Sequence, residues 1–526
     1  MDDSTAAGLV GRLERSFQDL ETRFHRAYWD AATYATPENE ARSAELELAL
    51  RRAKGDAAAL REVDRQLEAD GRESVLRRQL EVVRQSLLGN QVDDDLRSRI
   101  VTLSSSIASD FASHRPQLGE TEVSDNDIRE VLERSDDVAE RRRMWEASKE
   151  IGAMVAERVR KLARLRNTAA RAAGFSDYYS MSLSLQDLTQ EGLWAHLTHL
   201  EELTREPYLA WKGSLDDHLA NRFGTTEVEP WHYADPFFQT VPPADGVSLD
   251  AHFAGIEAPC LAEESFRRWG IDLGGVMARS DLFPRAGKSQ HAFCIQMDRK
   301  EDVRILANVV PGARWVEVML HESGHAAYDV CIDPTLPYLL RRPAHTFVTE
   351  GMAIMSGRLV RDPRWLVDVA SLRPGVIAQI EEELHRMTST ASLLFTRWAL
   401  VMAHFERAFY RDPGADLDVL WWDLVERFQS VRRPRDRRAP DWAAKVHIAT
   451  APVYYHNYLL GEMLATQLRA AIEREGDAHL VGAPAAGRWL QERFFAPGAS
   501  LRWDALVRTA TGRELSPEDF AASLMG

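Results

Sequence analysis

Val318-Met-Leu-His321-Glu322-Ser-Gly-His325-Ala-Ala-Tyr-Asp329 is the stretch on which the reading of this chain turns. Apolar Val316, Val318 and Leu320 lead into a His-Glu-x-x-His core within a helical pattern. On a helix of about 3.6 residues per turn, two histidines four apart differ by roughly 40° in direction, so both rings leave one face. Glu322 stands about 100° from His321, near enough to act on a water held by a metal without itself becoming a ligand. Zinc takes such nitrogen donors at about 2.0–2.1 Å, and a catalytic site keeps one coordination position open. The chain has 16 histidines, and an accidental match to this pattern is expected in on the order of a few percent of such sequences. The segment therefore predicts a metal helix with His321 and His325 as ligands and Glu322 as general base. Gly324 costs that helix about 1 kcal/mol against alanine, which a close approach by another backbone or by substrate would explain.

A third protein ligand must come from elsewhere. Glu350 lies 25 residues beyond His325, in Phe347-Val-Thr-Glu350-Gly-Met-Ala-Ile-Met-Ser-Gly357. This segment is apolar enough to be a buried helix, where a lone carboxylate is costly unless it is paired or metal-bound. The competing reading is an exposed glutamate at a helix start. His345 is a rival ligand, but Pro343 places it in a loop, lining the cleft.

Outward from this centre, most of the chain reads as helix. Residues 5–112 carry long charged segments with apolar residues three and four apart, such as Leu46, Ala49 and Leu50, then Leu80, Val83 and Leu87. Ser124 with Asp127 has capping-box spacing. The stretch 238–249, with two prolines and a glycine, is the best linker candidate. Two short β-rich runs, 291–297 and 303–309, are joined by a polar turn and predict a hairpin just before the metal helix. The expected fold class is mainly α with one small β-sheet near the metal helix. Arg432, Arg433, Arg435, Arg437 and Arg438 crowd one stretch, read as a solvated loop or, less simply, as a clamp for an anionic substrate.

The chain has 526 residues with 45% hydrophobic and 28% charged composition, as in globular proteins. A net charge of −16 argues against a nucleic-acid partner and against an anionic membrane surface. No run of about 18 apolar residues occurs, so no membrane span is expected. Met1-Asp2-Asp3-Ser4 lacks the basic start of a secretory signal, and three cysteines (Cys260, Cys294, Cys331) offer no disulfide framework. The expected location is the cytoplasm.

Two histidines in HExxH followed by a glutamate about 25 residues later form the gluzincin arrangement. The runs His291-Ala-Phe-Cys, Val303-Arg-Ile-Leu-Ala-Asn and Pro337-Tyr-Leu-Leu-Arg341-Arg-Pro-Ala-His345-Thr resemble peptidases of the thimet oligopeptidase and oligoendopeptidase F group. The chain is also similar, more distantly, to angiotensin-converting enzyme. The resemblance extends through Leu420-Trp-Trp-Asp423 to Trp442-Ala-Ala-Lys445-Val-His447 and Pro452-Val-Tyr454-Tyr455-His-Asn-Tyr458, and is strongest across about residues 280–475.

It implies a two-lobed helical ellipsoid with a deep central channel and one zinc per chain. Residues 1–526 would form a single peptidase unit, with 1–250 as a mainly helical lid and channel wall and 251–526 as the zinc-binding part. It implies that peptide is held along the hairpin strand near His291 and Ala292. Pro452 suits the first turn of a helix, after which Tyr455 and Tyr458 share a face. By the pattern of the relatives Tyr458 would donate to the oxyanion, and Tyr455 and His447 would contact substrate. The histidine-to-tyrosine spacing is offset by about a residue, which keeps Tyr454 as a competitor. Lys445 would pair with a peptide's C-terminal carboxylate, against the alternative of a loop lysine. Ile354 replaces the aspartate that supports a metal histidine in angiotensin-converting enzyme. The expected function is zinc-dependent hydrolysis of short peptides; alternatives are trimming of one dedicated precursor peptide and peptide binding without turnover.

Overall fold

The computed structural model describes residues 3–69, 74–119, 121–241, 249–475 and 479–525. Helices dominate, as expected, beginning with Asp3–Thr33, Pro37–Ala53, Ala57–Ala69, Val75–Leu88 and Asp94–Ser113. Local chemistry sets their ends. Thr36, Ser74 and Asp93 each accept a backbone N–H of the first turn, and Pro37 follows Thr36 where its missing N–H costs nothing. Ser124 and Asp127 form the expected reciprocal capping box. Leu46, Leu50, Leu80, Val83 and Leu87 are buried. No helix among the described residues is long and apolar enough to cross a membrane.

The N-terminal helices are packed onto the region that carries the metal-type residues. Leu9, Phe17, Val63 and Leu80 share a core with Tyr338, Leu339 and Leu340, immediately before Arg341. Trp29 packs on Met297 and Leu306 of the hairpin. The hairpin pairs Phe293–Gln296 antiparallel with Val303–Leu306, in the register Phe293 opposite Leu306. A bridge from Asp281 covers the outer edge of the second strand. The first strand has no second strand beside it among the described residues. A second, two-residue ladder pairs Gln117–Leu118 with Thr121–Glu122. Of the 238–249 stretch, 242–248 lie outside the described residues; Phe238 at its start is buried, with a φ of 49°.

Three helices make the centre: Ala313–Cys331 with the HExxH core, Thr346–Gly357 with Glu350, and Tyr455–Glu475. They meet across glycines. A Cβ on Gly324 would lie 2.9 Å from the Ala353 Cα and 3.0 Å from the Ser356 Oγ. A Cβ on Gly461 would lie 3.3 Å from the Glu350 Cβ, and one on Gly351 3.0 Å from the Leu464 side chain. The glycine that weakens the metal helix thus lets its neighbour come close.

This packing gives opposite signs to one substitution at two sites. Gly213, inside the exposed-faced helix Gln190–Phe223, has nothing within 4 Å of an added Cβ. Gly213→Ala is expected to stabilise by up to about 1 kcal/mol. Gly324→Ala should instead destabilise, with overpacking costing about 1–3 kcal/mol. Denaturant midpoints decide it; a gain at Gly324 matching that at Gly213 would contradict the close approach.

Candidate metal centre

His321, His325 and Glu350 each place one donor atom within 4.8 Å of the others. His321 Nε2 lies 3.8 Å from Glu350 Oε2, and the two imidazole planes stand at 82° with centroids 5.0 Å apart. Burial holds His321 down to about 4 and His325 down to about 3, so both rings are neutral near pH 7. The contact between His321 and Glu350 is therefore not an ion pair but two donors facing a common point. His325 Nδ1 sits 2.7 Å from the Thr349 hydroxyl, which leaves Nε2 as its free donor. Tyr454 donates its hydroxyl to Glu350 Oε1 at 2.9 Å. Neutral imidazoles with an orienting partner, plus one oriented carboxylate, are the chemistry of a divalent metal site with an open position. The residues fit zinc.

Glu322 points at the same space from the next position of the helix. Burial, and then the charge of Glu350, raise it to about 8, while the Cys294 backbone N–H donates to it and works the other way. Burial also raises Glu350, eased by Tyr454. A bound cation would draw both carboxylates down. Ala292, Phe293, Cys294 and Gln296 of the hairpin line the same cavity of about 720 Å³, together with Tyr458.

The tyrosine segment departs from expectation in its start. Pro452 does not open the helix, which begins at Tyr455. Val453 takes a φ of 57°, a strained conformation for a β-branched residue. Its N–H donates to Glu406 Oε1 at 2.7 Å, and Glu406 is buried in the long helix Pro374–Arg411. The turn sends Tyr454 to Glu350. Tyr455 is buried, and its hydroxyl accepts from Trp398 Nε1 at 3.3 Å, with His447 beside its ring. Tyr458, alone of the three, lines the cavity, edge-on to Phe395. Burial and then the charge of Glu350 push Tyr458 up to about 12, so it keeps its proton.

Of the remaining expected contacts, His291 and Lys445 lie close enough to His447 for their charges to act on it. His291 is exposed and His447 half-buried. Lys445 Nζ donates to Gln239 Oε1 at 2.9 Å and lies over Phe237 and Trp398; burial lowers it to about 8. Gln239 was not singled out in the sequence, because its partner is 206 residues away. It lines a second cavity that meets the first at His321, Ile354, Phe395 and Glu462. His345 does not join the donor set or line the metal cavity. Its Nδ1 accepts the Phe347 N–H at 3.0 Å and caps the Glu350 helix, which needs an acceptor there. The five arginines of 432–438 pair with Glu227, Asp423, Glu426, Asp441 and Asp416, so the anion-clamp reading falls.

Residues 277–526 match the profile of Peptidase family M3, and residues 1–227 match the profile described as Angiotensin-converting enzyme. The resemblance read from the sequence is borne out by these two matches. The class they define is metallopeptidase, acting on peptides. No curated protein matches the chain in sequence.

Thr349 supplies a test of the donor geometry. Thr349→Val removes the partner of His325 Nδ1 and should weaken divalent-metal affinity by about tenfold or more, with Thr349→Ser close to the parent. Chelator competition with zinc as the probe measures this. Equal affinity for the valine variant would contradict the orienting role.

Proposed function

We propose that this chain is a zinc-dependent peptidase that hydrolyses short peptides, with His321, His325 and Glu350 holding one zinc and Glu322 as the general base. The observation that carries this reading is the convergence of the three donors and Glu322 on one cavity bordered by a strand with no second strand partner among the described residues. A divalent metal ion held there lowers the pKa of water and polarises a carbonyl. Glu322 takes the proton of the attacking water and passes it to the leaving amine. Tyr458 donates to the oxyanion that develops on the former carbonyl. The hairpin edge offers main-chain groups to an extended peptide, so affinity need not depend on one side chain. Because Cys294 on that edge also donates to Glu322, the strand that carries the peptide aims the base.

On this reading Lys445, beside Gln239, would take a C-terminal carboxylate, and short C-terminal fragments would be released; the Lys445 ammonium held by Gln239 Oε1 supports it. The same chemistry serves one dedicated precursor equally well. Retention of Glu322 beside the full donor set speaks against a role in binding alone. The net charge of −16 and the three free cysteines fit an acidic cytoplasmic enzyme without nucleic-acid or membrane partners.

The function is tested by incubating the zinc-loaded protein with a mixed peptide library and reading products by mass spectrometry. Chelator-sensitive cleavage is expected, and its absence for every peptide sinks the proposal. Glu322→Gln keeps shape and metal but should lose at least about a hundredfold in turnover. Tyr458→Phe should cost about 3 kcal/mol in kcat with KM little changed. Tyr454→Phe should act chiefly through metal affinity. Were Tyr454→Phe the variant with the kcat defect at full metal content, the two tyrosines would exchange roles.

A further inference from the structure

Three arginines, Arg299, Arg341 and Arg342, line the metal cavity beyond the Gln296 end of the hairpin strand. They are not alike. Arg299 is neutralised, with Nη2 2.8 Å from Glu21 Oε2 and Nη1 donating to the Tyr338 carbonyl at 3.2 Å. Glu21 also takes Lys54 at 2.6 Å and the Tyr338 hydroxyl at 2.7 Å, and acts on Arg342 through its charge alone. The Arg342 guanidinium makes no hydrogen bond or ion pair among the described residues. The Arg341 guanidinium makes one long contact, 3.4 Å to the Arg299 carbonyl, and its Nε is buried without a partner.

Asp329 is the carboxylate on this side of the cavity, one turn beyond His325, and no cation lies within ion-pair distance of it among the described residues. Burial raises it to about 7, so near neutral pH it does not carry a full charge. His25 is also there, its Nδ1 3.3 Å from the Met297 carbonyl. The arm therefore holds two guanidiniums without an ion pair: the charges of Glu21 and Asp187 act on Arg342 from a distance, and Asp329 is partly protonated.

Buried arginines elsewhere that lack a carboxylate find carbonyls or hydroxyls, as Arg141 does with Trp231, His232 and Tyr233 and Arg166 with Tyr410 and Ala449, and the exposed run 432–438 finds a carboxylate for every arginine; the Arg342 guanidinium has neither among the described residues. A half-buried, unpaired cation is costly, and the cost is recovered when an anion enters. A guanidinium fork matches a carboxylate in two-point geometry.

Building on the peptidase reading, we infer that Arg341 and Arg342 form a receptor for an acidic side chain of the substrate, upstream of the cleaved bond. With the peptide's C-terminus placed at Lys445, the strand orders the positions along it. Its His291 end lies near His447 and Lys445, and its Gln296 end leads to Arg299. A peptide antiparallel to this strand with its C-terminus at Lys445 brings its upstream residues to Arg341 and Arg342.

The test uses matched peptides in which glutamate is moved along the upstream positions, each paired with its glutamine counterpart. At one position the zinc-loaded enzyme should favour glutamate by about tenfold or more in kcat/KM. The double variant Arg341→Met/Arg342→Met should bring that ratio toward one with metal content unchanged, and Arg341→Gln and Arg342→Gln should each lower it if the double variant does not fold. Equal rates at every upstream position, or a preference that survives the substitutions, overturn the inference. Calorimetric binding of the same pairs to zinc-loaded Glu322→Gln separates the two proposals. Glutamate-selective binding without hydrolysis by the parent leaves the receptor standing and removes the peptidase; hydrolysis without selectivity does the reverse.

Discussion

Everything in this centre depends on how near two helices can come. Helix axes packed through large side chains stand about 8–10 Å apart, and small residues at the contact let the backbones, and the donors they carry, come nearer. Gly324 faces the Ala353 backbone, and Gly461 faces Glu350 from the other side. The Glu350 helix is thus held between two glycine contacts. Its short carboxylate reaches His321 and His325 without an irregular backbone, and the site rests on regular secondary structure. Rigid helices hold a donor set with less drift than loops do.

Such a position confines several carboxylates to poor solvent, and each has its own device. Glu350 leans on the Tyr454 hydroxyl and Glu322 on the Cys294 N–H. Glu406 accepts the Val453 N–H, and burial raises it to about 8. The last of these couples energetics to geometry. A strained turn of order 1–3 kcal/mol persists only where its surroundings over-determine it. Here a buried acceptor does so, and the turn separates the tasks of neighbouring tyrosines, one on a metal-type ligand and one in the cavity.

What was legible in the sequence was whatever is written in short range. The histidine spacing, the apolar setting of Glu350, the hairpin and the Ser124 capping box each depend on a few neighbouring residues. The helical class followed from periodicity in the same way. What the sequence left hidden depends on partners far away in the chain. Gln239 matters through Lys445, and nothing in its own surroundings marks it. Pro452 suggested a helix start because proline suits one, yet the distant Glu406 holds the following residue in a left-handed turn. His345 looked like a ligand or a cleft residue because histidine does both, and the orphan N–H groups of its own helix claimed it first. Thr349 was passed over because a threonine beside a candidate ligand has no signature until the ring it supports is in place.

The first helix shows why the N-terminal part matters to the chemistry. Glu21 binds Arg299 and Tyr338 across about three hundred residues of sequence, and His25 reaches the hairpin carbonyl of Met297. By neutralising Arg299, Glu21 keeps the local charge from rising to three guanidiniums, a density that would tax the fold without a ligand present. The outside of the molecule pulls the other way. A net charge of −16 repels an acidic peptide at a distance. That repulsion is screened within about 8 Å at physiological salt, whereas a contact inside the cavity is screened far less. Selection between acidic and neutral peptides therefore rests on the last few ångströms at Arg341 and Arg342, where the partner has already shed its water.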